Sequence, residues 1–130
     1  MRSLLFSIRG LLILVLVGVA VLLPAAQPQT AQASTPVVID SLTCEQIGGG
    51  TAYTGKFLCM GQSSGGEGSH THRWYKNGGL QATYSDTYSS HHVNTCVFNQ
   101  LTTVVFTVTD SSGAQVSDTT YLYCTNGPLD

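Results

Sequence analysis

This sequence of 130 residues is poor in charge, with only 9% Asp, Glu, Lys and Arg. Two of its five basic residues, Arg2 and Arg9, stand ahead of an N-terminal apolar run. Beyond that run Lys56, Arg73 and Lys76 face seven acids, a balance of 3 − 7 = −4. No basic stripe gathers phosphates, so no nucleic-acid partner is expected. Past the leader no sustained 3.6-residue periodicity occurs, which argues against a helical domain. No Gly-Lys-Ser/Thr follows Gly65-Gly66-Glu67-Gly68, so these glycines are not a phosphate loop. Carboxylates are too sparse around Asp110 and Asp118 for a calcium ion, which needs six or more oxygens. Both aspartates read as turn residues bonding their own backbone.

What is present begins with an export signal. Arg2 and Arg9 form a positive start, Leu11 to Leu23 is uninterruptedly apolar, and Pro24 ends the run. Ala31-Gln32-Ala33 then offers the small-x-small pattern of a cleavage site. Residues 1–33 therefore read as a signal peptide helix. The run is short against the roughly 20 residues of a membrane-spanning helix, so membrane contact is expected only through an uncleaved leader. The remaining 130 − 33 = 97 residues, 34–130, suit one domain, expected to be secreted, extracellular or in the cell envelope. All four cysteines, Cys44, Cys59, Cys96 and Cys124, lie there. In an oxidising compartment they read as two disulfides, each contributing about 2–4 kcal/mol toward a net stability of about 5–15 kcal/mol.

The mature part has the period-two pattern of strands. Val37 to Cys44 alternates, Gly48-Gly49-Gly50 reads as a turn, and Lys56 to Gly61 reads as a second strand. Ser63 to Ser69 reads as a loop, Thr71 to Lys76 as the tryptophan strand, and Asn77-Gly78 as a tight hairpin turn. Leu80 to Tyr84, Tyr88 to Phe98, Thr102 to Asp110 and Val116 to Cys124 complete seven short strands. The expected fold is an all-β, seven-stranded sandwich.

Phe106 to Ala114, FTVTDSSGA, resembles the penultimate hairpin of the PKD family, an immunoglobulin-like fold of secreted bacterial proteins. The Ser-Gly-Gly loop before a tryptophan strand is similar to small exported bacterial immunoglobulin-like proteins. Trp74-Tyr75-Lys76-Asn77-Gly78 is closer to the immunoglobulin pattern than to the Trp-Asp-Phe-Gly-Asp-Gly typical of PKD domains. The resemblance implies an immunoglobulin-like, PKD-like sandwich with Trp74 in its core. Three cysteine pairings remain open. An antibody-type bond would join Cys59 to Cys124. Yet only Thr125 to Asp130 follow Cys124, and Leu122 stands where a tyrosine corner needs tyrosine. The preferred pairs are Cys44–Cys59, on neighbouring strands, and Cys96–Cys124.

Candidate chemistry is thin. His70, His72 and one of His91 and His92 form a candidate zinc or copper site, since neutral imidazole binds both metals. His70 and His72 share a strand face with Trp74, while His91 and His92 point to opposite faces. The plain alternative is exposed histidines in loops and at strand ends. Gly61-Gln62-Ser63-Ser64-Gly65 matches the G-x-S-x-G nucleophile elbow, but a glycine loop follows where that motif requires a helix. Tyr75, Tyr84, Tyr88, Tyr121 and Tyr123 read either as a recognition patch or as packing. The expectation is a non-enzymatic, monomeric binding module without cofactors, its partner an extracellular protein or carbohydrate. The alternative is a small exported protein that binds zinc or copper through His70, His72 and His91 or His92.

Overall fold

The computed structural model describes residues 35–126. The signal peptide expected over residues 1–33 and its cleavage site lie outside the described residues. Among the described residues the chain is all-β. Its strands are β1 (Val38–Thr51), β2 (Thr54–Ser64), β3 (Thr71–Lys76), β4 (Gly79–Tyr84), β5 (Ser89–Val97), β6 (Leu101–Thr109) and β7 (Gln115–Tyr123). They form a three-stranded sheet, β1-β2-β5, and a four-stranded sheet, β4-β3-β6-β7, arranged as a sandwich with every pairing antiparallel.

Alternation sets which side chains meet between the sheets. Along β2, Phe57, Cys59, Gly61 and Ser63 are buried, while Lys56, Met60, Gln62 and Ser64 are exposed. Along β6, Thr102, Val104, Phe106 and Val108 face inward. Trp74 is fully buried, its ring centroid 4.4 Å from that of Phe106 and 6.2 Å from that of His92. Burying each Phe-sized side chain contributes roughly 1.5–3 kcal/mol. Close approach of the sheets depends on Gly61, where an added Cβ would lie 2.7 Å from the Phe106 ring.

Two turns differ in origin. Asn77 and Gly78 join β3 to β4 with φ of 48° and 84°, the positive values a two-residue hairpin requires at both positions. Asn77 also exchanges bonds with Thr103 of β6: its backbone N–H donates to Thr103 O and its Oδ1 accepts the Thr103 N–H, both at 2.9 Å. The glycine triplet does not turn the chain as expected. β1 runs through it to Thr51, with register shifts at Gln46/Gly48 and Gly49/Thr51. The turn falls at Ala52-Tyr53, where the hydroxyls of Thr51 and Thr54 meet at 2.9 Å and Thr54 Oγ1 accepts the Thr51 N–H. The loop expected from Ser63 also begins later, because β2 continues to Ser64 opposite Val38.

Disulfides join Cys44 to Cys59 and Cys96 to Cys124. The first links directly opposed residues of β1 and β2, with Cα atoms 4.1 Å apart. The second runs from β5 of one sheet to the residue after β7 of the other, and so ties the sheets together. Two such bonds indicate an oxidising compartment.

Candidate functional site

The most unusual feature of the core is a row of polar groups with almost no access to water. His70 and His72 are fully buried, Ser63 is 4% exposed and Ser90 8% exposed. The reading of exposed strand-end histidines is therefore overturned for this pair. The period-two rule places His72 inward with Trp74, and His70 continues that face just before β3.

Five hydrogen bonds join these residues. Gly65 O lies 3.0 Å from His70 Nε2, and His70 Nδ1 lies 2.7 Å from Ser63 Oγ. Ser63 Oγ lies 2.8 Å from His72 Nε2, and His72 Nδ1 lies 2.9 Å from Ser90 Oγ. Ser90 Oγ in turn accepts the Trp74 indole N–H at 3.0 Å. For imidazoles that each carry one ring proton, donor and acceptor roles follow from the ends inward. A carbonyl can only accept, so His70 carries its proton on Nε2 and accepts from Ser63 at Nδ1. The Ser63 oxygen then accepts from His72 Nε2–H, and His72 Nδ1 accepts the Ser90 hydroxyl proton. Every donor is matched, and no buried side-chain nitrogen or oxygen among the described residues lacks a partner.

Burial, and secondarily repulsion from the neighbouring His70 imidazole, lowers the His72 pKa from 6.5 to about 4. His92, facing inward beside Trp74, is lowered by burial and then by Lys76. The Lys76 ammonium bonds Asn94 Oδ1 and Thr95 O across the seam between the sheets. Asp110 is lowered mainly by the Ser112 hydroxyl and then by the Glu67 backbone N–H, with N–H groups of Ala114 and Ser112 adding to the effect. Its carboxylate thus holds both the β6–β7 turn and the Gly65–Gly68 loop, the turn role expected of it. Asp118 is not the turn residue expected: it lies within β7 opposite Phe106, exposed, and bonds the neighbouring Thr119 N–H.

The candidate metal ligands do not converge. Ser63 stands between His70 and His72, whose ring centroids are 6.4 Å apart. His91 is exposed on the outer face of β5 opposite Met60, and His92 faces inward toward Trp74. Among the described residues no group of three or more His, Cys, Asp or Glu side chains is placed to hold a metal ion.

Ser63, the serine of the G-x-S-x-G match, does bond a histidine, as a nucleophile would. Both sides of its hydroxyl are occupied within the core, and β2 ends at the next residue without entering a helix. The sequence reading missed Ser90 and the role of Ser63. Ser63 falls in the inward register of Phe57, Cys59 and Gly61, the one signal that could have placed it beside the histidines.

The five candidate tyrosines divide into three groups. Tyr121 and Tyr123, 63% and 55% exposed, lie on the outer face of β7 opposite Thr103 and Leu101. Half-buried Tyr75 shares that face from β3. Tyr88 packs edge-on against His70 and donates its hydroxyl to Gly68 O at 2.7 Å. Tyr84 stands at the open edge of β4. No family model, curated protein or solved structure matches this chain.

Proposed function

We propose that the chain is an exported, non-enzymatic, immunoglobulin-like binding module of the PKD-like kind that acts outside the cell or at its surface. The observation that carries this reading is the outer face of the four-stranded sheet. There Leu80, Leu101, Tyr121 and Tyr123 are each more than half exposed. Tyr75 and Val105 lie between them in register. Clustered exposed aromatic and aliphatic side chains mark interaction surfaces, and tyrosine gives large contact area at low entropic cost. The strand order and the leader read from the sequence support the fold family and the compartment. The buried, fully engaged Ser63 supports a role without turnover.

The test is retention of an envelope or extracellular partner by the immobilised protein, compared with a Tyr121→Ser/Tyr123→Ser variant. Loss of retention in that variant is expected, with retention kept in Met60→Ser, which alters the opposite face. Equal retention by all three proteins would reject the surface.

A further inference from the structure

On one side the sandwich is closed by contacts between β1 and β7. On the other, the edge strands β4 and β5 part toward the Tyr84 end, leaving an open cleft of about 410 Å3. This volume lies within the roughly 300–1,000 Å3 of small-molecule sites. Thr83 and Tyr84 line it from β4, Ser85 and Thr87 from the connection, and Ser90 and His91 from β5. At the other end of the seam the strands are tied by Asn94 Nδ2 donating to Gln81 Oε1 at 2.9 Å, so the opening is bounded.

The lining has a narrow chemistry. Its residues carry hydroxyls, a phenol and the His91 imidazole, which is turned to the outer face of β5, with no carboxylate, ammonium, guanidinium or aliphatic side chain. An anion would find no cationic partner there, and a metal ion no carboxylate. A purely apolar ligand would leave the hydroxyls stripped of water and unpaired. Groups that both donate and accept suit an uncharged ligand whose own groups do the same. Tyr84, 38% exposed, adds a ring for the C–H face of such a ligand.

Two hydroxyls have defined roles. Thr87 is committed locally, since it donates to Ser89 O and accepts the Ser89 N–H. Ser90 gives its proton to His72 and one lone pair to the Trp74 N–H, which leaves one accepting position. The buried relay therefore fixes Ser90 as an acceptor for a ligand hydroxyl, and preorganisation of this kind lowers the entropic cost of binding.

We propose that this cleft binds a neutral oligosaccharide, with Tyr84 against a sugar ring and the hydroxyls of Ser85 and Ser90 bonding its own. The site is separate from the tyrosine face of β7, so its success or failure leaves the binding role proposed for that face untouched. The full chain, exported with its own leader and purified, is titrated calorimetrically with cellotetraose, maltotetraose, mannotetraose, chitotetraose and, as a charged counterpart, tetragalacturonate. Binding of at least one neutral tetrasaccharide with Kd no weaker than about 1 mM is expected. Tyr84→Ala and, separately, Ser85→Ala should weaken it about tenfold, while Tyr121→Ser should not. Because Ser85 is exposed in the connection after β4, its variant keeps the test available if Tyr84→Ala does not fold. No binding by any neutral member, stronger binding of tetragalacturonate, or binding unchanged in both cleft variants overturns the proposal.

Discussion

The carboxamide of Gln46 clasps the backbone of Thr125: Nε2 donates to Thr125 O and Oε1 accepts the Thr125 N–H, both at 2.9 Å. One side chain thus reproduces the paired bonds of an antiparallel ladder where β1 and β7 belong to different sheets. Gln46→Ala should speed hydrogen exchange at the Thr125 amide and cost about 1–2 kcal/mol. Gln46→Glu keeps the acceptor and loses the donor, so the Thr125 amide should stay protected. Exchange at Thr125 unchanged in Gln46→Ala would show that the clasp does not hold this segment.

Ser63 separates two buried imidazoles, and its loss orphans both. Ser63→Ala should destabilise the protein by about 2–4 kcal/mol in urea unfolding, from two buried groups each costing about 1–3 kcal/mol. Ser64→Ala removes only an exposed bond to Asp40, at 2.8 Å, and should stay within about 0.5 kcal/mol of the parent. Similar losses in both variants would contradict the relay.

Acid should loosen this domain earlier than carboxylate titration alone predicts. Folded His72 gains its proton near pH 4, whereas in the unfolded chain it does so near 6.5. Between these values the unfolded state binds more protons, so stability falls as pH falls, by up to about 1.4 kcal/mol per pH unit for each proton. His92, also lowered, acts in the same direction. The lowered pKa of Asp110 adds its own loss only below about 3.8, the ordinary value. Thermal melts should be flat above pH 7 and decline from 6.5 toward 4. A flat profile across that interval would refute the lowered pKa of His72.

The disulfides should differ in weight. Loops of 15 and 28 residues predict about 3 kcal/mol for Cys44–Cys59 and about 3.6 kcal/mol for Cys96–Cys124 from closure entropy alone. The second also joins the sheets. The Cys96→Ser/Cys124→Ser variant should therefore lose more, on the order of 15–25 °C in Tm. A smaller loss than in Cys44→Ser/Cys59→Ser would reverse this order.

Much of the fold was legible because it depends on local alternation and turn chemistry. The inward residues of β6 and the Asn77-Gly78 turn follow from period two and positive φ. The end of β2 did not, because Ser63 and Ser64 sit in a serine-glycine run with the composition of a loop. What extends the strand is pairing with Val38 and Ile39, supplied by a distant segment. The histidines carried conflicting signals, since their strand face pointed inward and their polarity outward. Burial prevails because Ser63, Ser90 and the Gly65 carbonyl arrive from other segments to satisfy every nitrogen. The cleft was illegible for the same reason, being made where β4 and β5 fail to meet.

The buried relay begins at an indole that can only give a proton and ends at a carbonyl that can only receive one. A closed ring of hydroxyls and imidazoles could reverse its sense and would exist as two interconverting forms. A row pinned at both ends has a single proton order, with no entropy left in it. Above the pH at which His72 takes up its second proton it has no other proton order to populate, so the interior of this small domain acts as a fixed dipole running from Trp74 to Gly65, and not as a proton conduit.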